Sequence, residues 1–133
     1  VVMCARTFVD LEEVPKLLET ILSALRRGVE ITVIVAQDAL SETQYPDAPT
    51  RSLLAAGLLV RGWPGLHVKG VLVDGHVAIV LSANFNPSLN IDNPDANIEC
   101  GITCSTTDTP FRAFQDYLLA LREHAPYKLA PTT

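Results

Sequence analysis

The residues best suited to chemistry lie in one short run, His67-Val-Lys69-Gly-Val-Leu-Val-Asp74-Gly-His-Val-Ala-Ile-Val-Leu81-Ser82-Ala-Asn84. An imidazole titrates near neutral pH, ordinarily at about 6.5, and can act as nucleophile, base or acid. A lysine ammonium offers a point charge to a nonbridging phosphate oxygen. The Ser82 hydroxyl and the Asn84 carboxamide add neutral donors. Such a set suits a phosphate diester whose charge is compensated by Lys69 and polar donors. No carboxylate cluster is placed in the run to hold a metal, so neither a metal nor a cofactor is expected.

Positioning these groups requires a hairpin. Two apolar strands flank Asp74-Gly75, a favoured two-residue turn. That turn pairs Val73 with His76, Val71 with Ala78, Lys69 with Val80 and His67 with Ser82. Opposed residues share a face of the sheet. His67 and Ser82 would then have Cβ atoms roughly 5 Å apart, with Asn84 on the diagonal at roughly 7–8 Å. Asp74, in the turn, is too far along the strand for direct chemistry.

The surrounding elements follow from periodicity. Val1–Ala5 reads as a buried strand, and Val29–Ala36 as a β-branched one. Between them, Leu11, Val14, Leu18, Ile21, Leu22 and Leu25 recur at helical spacing. Asp10 with Glu13 has the form of a capping box, Pro15 places the main helix start, and Gly28 stops it. Gln37–Pro49 reads as a loop, Thr50–Ala56 as a short helix, and Leu58–Arg61 as a strand broken by Gly62-Trp63-Pro64-Gly65. After the hairpin come a loop over Asn86–Ala96, a strand over Asn97–Cys104, and a helix capped by Thr109 with Pro110 in first position. The expected fold is α/β (mixed α+β), a mixed sheet sandwiched between helices.

The run is similar to a known motif. His67-x-Lys69-x4-Asp74, followed by Ser82-x-Asn84, resembles the HKD motif of the phospholipase D superfamily. The likeness continues through Phe85-Asn86 to Asn97-Ile98-Glu99, and upstream through Arg27-Gly28-Val29-Glu30, so that it covers nearly the whole chain. One departure is Leu81, where family members usually carry Gly before the serine. The resemblance implies a phospholipase D-like, nuclease-like mixed sheet and a metal-independent phosphodiesterase working through a phosphohistidine. His67 would be the nucleophile, Glu99 would hold its far ring nitrogen, and Lys69, Ser82 and Asn84 would bind phosphate oxygens. Asp74 would be a structural member of the motif. Family members use two such motifs, and this chain has one, since His76 and His124 lack the spacing for another. The expected partner is a second copy in a homodimer with a shared active site, or a second motif on a longer chain. Nucleic acid is the expected substrate ahead of phospholipid. The alternatives are a phospholipase D or phosphatidyl transferase, and a catalytically silent binding or assembly module.

Composition sets outer limits. With 133 residues, 48% hydrophobic and 19% charged, the chain is expected to form a single domain over 1–133 with its own core. The start at Val1 suggests truncation or a piece of a longer chain. No apolar run reaches the ~20 residues of a membrane-spanning helix. A formal charge of −5 means that an anionic substrate must be held by a local cluster. Three cysteines without a CxxC, and no signal peptide, point to a reducing cytoplasm and no disulfide framework. They read as small buried strand residues. Arg6 and Arg61 lie near the motif in this layout, and a surface role accounts for each at least as well as a place in the cleft.

Overall fold

Two runs in this chain are too apolar to tolerate an exposed face. All three residues of β1 (Val2–Cys4) and all five of β2 (Thr32–Ala36) are buried in the computed structural model, which describes residues 1–42, 44–90 and 92–129. Strands buried on both faces belong at the centre of a sheet. They pair in parallel there, Val2 with Thr32 and Cys4 with Ile34. β3 (Leu59–Trp63) extends the parallel set, whereas β4 (Gly70–Val73), β5 (Val77–Leu81) and β6 (Gly101–Ser105) add antiparallel strands on the other side. β7 (Tyr127–Lys128) closes the far edge, giving the seven-stranded order β6-β5-β4-β1-β2-β3-β7.

Each face of the sheet is covered by helix, as expected. α1 (Pro15–Arg26) turns Ile21 and Leu25 inward, and α3 (Ala48–Ala55) adds Leu53 and Leu54 over Met3, Val33 and Val35. α4 (Phe111–His124) lays Phe111, Leu118 and Leu121 on the opposite face, over Cys4, Ile34, Leu72 and Ala78. Each such side chain, fully buried, contributes roughly 1.5–3 kcal/mol. The Trp63 indole N–H donates to Leu121 O at 2.8 Å, which ties the end of α4 to β3.

Several boundaries differ from the sequence expectation. The expected loop over Gln37–Pro49 opens with a one-turn helix, α2 (Gln37–Leu40), and within that loop Thr43 lies outside the described residues. Ile91, in the expected 86–96 loop, does too. Gly62 and Trp63 continue β3 instead of breaking it. A Cβ at Gly62 would stand 2.5 Å from Leu40 Cδ1, so glycine there admits α2 against the strand. Asp47, rather than a residue nearer Thr50, caps α3 by accepting the Thr50 N–H at 3.1 Å. The late strand is Gly101–Ser105, and Thr109 does not cap α4, which begins at Phe111 without a side-chain cap. Cys4 is buried, but Cys100 is exposed.

The capping box does not form. Asp10 takes a left-handed conformation, φ 54°, and makes no side-chain cap bond. Its N–H donates instead to Asp47 Oδ2 at 2.6 Å. Partial desolvation, then the charges of Asp47 and Glu12, raise the Asp10 pKa above its ordinary value. A raised acid pKa means that the folded state binds this proton more tightly than the unfolded chain. The group therefore contributes stability at low pH that is lost as pH rises through its titration. Asp10→Asn removes that repulsion in a residue type that accepts φ > 0. Because Asp10 is exposed and its repulsion screened, the variant should melt only slightly higher than the parent at pH 7, and the gap should narrow as pH falls through the Asp10 titration. A lower melting point at pH 7 contradicts this reading.

Candidate active site

The turn Asp74-Gly75 forms as its residue types require. Both residues have positive φ, 51° and 67°, and the His76 N–H closes on Val73 O at 2.9 Å. His76 is then left out of the ladder. Val73 pairs with Val77, Leu72 with Ala78 and Gly70 with Val80, one residue displaced from the expected register. The reason is burial: this register puts Leu72 and Ala78 together under α4, and register follows the buried face. Ser82 therefore does not stand opposite His67. The Leu81 N–H, rather than a residue at Val80, reaches Lys69 O at 3.0 Å.

Lys69 is the electrostatic focus. It is 8% exposed, and only Thr32 and Thr50 join it as buried polar residues among the described residues. Its Nζ donates to His67 O at 2.8 Å and lies 3.3 Å from His67 Nδ1. Among the described residues it has no carboxylate in salt-bridge range. An ammonium withdrawn from water without a counter-charge is costly, and an anion that reaches it recovers that cost. A lysine ammonium can only donate, so Nζ can bond His67 Nδ1 only in the tautomer that leaves Nδ1 unprotonated. His67 itself is exposed and, like Lys69, precedes β4, whereas the expected hairpin puts both within the strand. Gly70, next in sequence, is what allows this approach: a Cβ there would meet Ile79 O at 2.5 Å and Phe114 Cζ at 2.7 Å.

The other motif residues are arranged differently from the hairpin expectation. The Ser82 hydroxyl donates to the Glu99 carboxylate and accepts the Cys100 N–H, the latter at 2.9 Å. Glu99 is thus hydrogen-bonded to Ser82 rather than to the His67 ring. Asn84 Oδ1 accepts the N–H groups of Arg6 at 2.9 Å and Thr7 at 3.4 Å, which fastens the motif's end to the end of β1. Its carboxamide N–H₂ remains the group that could meet a phosphate. Asp74 stays in the turn, at the opposite end of β4 from His67. Leu81 packs against the core on the α1 face, and it pairs with Gly101, where a Cβ would lie 2.7 Å from Leu81 Cδ2. Its bulk is thus accommodated by a glycine on the neighbouring strand.

Sequence reasoning missed the segment that braces the site. Thr7–Val9 runs beside Asn84–Asn86: Phe8 bridges Phe85, and Asn86 Nδ2 donates to Thr7 Oγ1 at 3.1 Å. The two phenyl rings meet edge to face, 6.2 Å between centroids. Such a pair adds roughly 0.5–1.5 kcal/mol beyond its burial. The alternating Asn84 and Asn86, both able to bond a backbone or hydroxyl of a parallel neighbour, were the available signal. Cys4, just before this brace, has its thiol pushed up to about 12 by burial, against weaker opposing effects of its bond to Gly70 O and the charge of Lys69. It is inert. Among the described residues one trio of acids comes together, Asp10, Glu12 and Asp47. Both Asp47 oxygens there already accept backbone N–H groups, and none of the three belongs to the motif.

The chain is similar to known proteins in sequence and in fold. The family model described as "Cardiolipin synthase, PLD-like domain" matches residues 1–117. Cardiolipin synthase A from Salmonella arizonae and from Salmonella paratyphi B are each 34% identical to this chain over 101 residues, 73% of it. Those 101 residues are 20% of each relative, so the chain spans about a fifth of the curated relatives it matches. Among solved structures, the phospholipase D family member Nuc from Salmonella typhimurium superposes with a TM-score of 0.68 at 16% identity. The match covers 96% of this chain and 80% of Nuc.

Proposed function

Because the chain belongs to the phospholipase D superfamily, within its cardiolipin synthase PLD-like domain family, we propose that it supplies one half of a metal-independent phosphodiesterase site, nuclease-like in substrate. The carrying observation is Lys69, a buried ammonium beside His67 with no carboxylate partner among the described residues. A phosphodiester supplies the missing negative charge, and its phosphorus is presented to the imidazole.

The chemistry runs in two displacements. A ring nitrogen of His67 attacks phosphorus as the bond to the leaving oxygen breaks, giving a phosphohistidine and an alcohol. A second histidine, from a second motif, gives its proton to that leaving oxygen. The same histidine then takes a proton from water, whose oxygen displaces His67 from phosphorus. Before the attack, His67 must carry its free lone pair on the attacking nitrogen. A carboxylate at the other ring nitrogen favours that tautomer, and Glu99 is proposed to turn from Ser82 to this task once the site is complete.

The second motif is proposed to come from a second copy across a two-fold axis. Two features support it. His67 is exposed, not enclosed. Val80 and Ile102, paired across β5 and β6, are 42% and 74% exposed, and Ile98 is fully so. The Val80–Ile102 pair lies within two residues of Ser82 and Cys100, and Ile98 directly precedes Glu99, so exposed apolar side chains near the Ser82–Glu99 pair are available to a partner. A second reading, transfer of a phosphatidyl group to an alcohol in place of water, is favoured by the 34% identity to cardiolipin synthase A.

One substrate panel tests both. The protein is incubated with bis(p-nitrophenyl) phosphate, plasmid DNA and phosphatidylglycerol vesicles, each with EDTA. Cleavage of the diester and of DNA is expected. Turnover of the vesicles alone transfers the conclusion to the second reading. No turnover of any of them by a folded dimer rejects both readings and leaves a silent binding module.

A further inference from the structure

Arg6 stands where the two halves of the site are fastened together. Its N–H donates to Asn84 Oδ1 at 2.9 Å, and its carbonyl accepts the Ala36 N–H at 3.2 Å. The root of this side chain is therefore fixed between the motif asparagine and the end of β2. Two residues earlier, Cys4 pairs with Gly70, the residue that follows Lys69. Its guanidinium bonds Asp38 Oδ2 at 2.9 Å, the one salt bridge among the described residues. That pair is open to water, with side chains 46% and 62% exposed. An exposed ion pair holds its partners weakly and is readily exchanged. Lys69 is withdrawn and can serve only one anion, whereas Arg6 has a planar fork matched to phosphate and a partner it can leave.

Resting on the diesterase reading, we infer that Arg6 binds a second phosphate, adjacent to the one held by Lys69, and that Asp38 holds Arg6 in place until that phosphate arrives. The site thereby selects a run of consecutive phosphodiesters, as in single-stranded nucleic acid, over an isolated diester. This also resolves how a chain with a net charge of −5 handles a polyanion. Selection is local, from two cations on one edge, and does not depend on an overall field. Arg6 is here a specificity residue.

The test reads binding, so it does not depend on turnover. Fluorescein-labelled octathymidylates are made with neutral methylphosphonate linkages except for one charged diester, or two adjacent ones. Affinity is measured by anisotropy on the His67→Asn protein. The second charge should tighten binding about tenfold and steepen the salt dependence by roughly one charge. Arg6→Gln in the same background should erase that increment. Its backbone bonds to Asn84 and Ala36 are retained, so its melting temperature should stay within a degree or two. Asp38→Asn should enlarge the increment. An increment that survives Arg6→Gln, an absent increment, or one found only on vesicles bearing a two-phosphate lipid overturns the inference. Absence of diester turnover by the unsubstituted protein, with the increment intact, removes the diesterase reading alone.

Discussion

His67→Asn should lower diester turnover by at least about 10⁴-fold, the scale on which a lost nucleophile is felt when the rest of a site is intact. No acid-labile phosphoryl-enzyme should accumulate on rapid quenching with labelled substrate. Asparagine keeps a polar, exposed side chain in the segment before β4, so folding is not at stake. Lys69→Met is the informative companion. The methionine fills the buried space of the lysine stem while removing the ammonium. Removing a buried charge that has no counter-charge relieves its desolvation cost, which offsets the lost bond to His67 O. The variant should therefore keep or raise its melting temperature while losing on the order of 10²–10³-fold in kcat/KM, the scale of one electrostatic donor to a developing charge. If Lys69→Met unfolds the protein, the ammonium is a structural element with partners of its own. If it folds and turns over normally, Lys69 does not meet the phosphate.

Gly70→Ala should destabilise the fold by about 2–4 kcal/mol, the range of severe overpacking with no room to relax. The added methyl would meet the carbonyl oxygen of Ile79 at 2.5 Å, and a backbone atom in a paired strand cannot swing aside. Phe114 Cζ at 2.7 Å closes the other side. Denaturant titration should show a lowered midpoint with an unchanged slope. Adding Phe114→Leu should restore only part of the loss, since Ile79 O remains. A midpoint equal to the parent's would mean that α4 does not press on β4 here. The substitution also bears on activity, because the contact forbids any residue but glycine directly after Lys69 and so fixes where that lysine sits.

Much of this was legible in residue types and spacing, for identifiable reasons. β1 and β2 declared themselves because both faces are buried, so their apolar runs are unbroken. α1 begins where Pro15 requires, since a missing N–H costs nothing at a first turn. The hairpin was visible in Asp74-Gly75, but its register was not. The turn bond to His76 forms as expected, and the displacement comes from pairing Leu72 with Ala78 beneath α4, a tertiary preference no local pattern carries. The identities of the motif residues were equally legible, yet two of their present engagements were not. Ser82 bonds Glu99, and Asn84 bonds the backbone of Arg6, because the chain returns alongside β1 after β5. α2 escaped notice since Gln37–Leu40 is a single turn, held by Leu40 against Gly62 rather than by helical periodicity.

The bond from Arg6 to Asn84 joins positions 78 apart along the chain. Contacts of such separation are slow to form, because a long loop must be closed before they return any energy. During synthesis, β1 emerges well before β5. Until the segment after β5 has emerged, Thr7–Val9 has nothing to run beside. The framework around Lys69 is thus completed late in biogenesis, when the two distant segments meet.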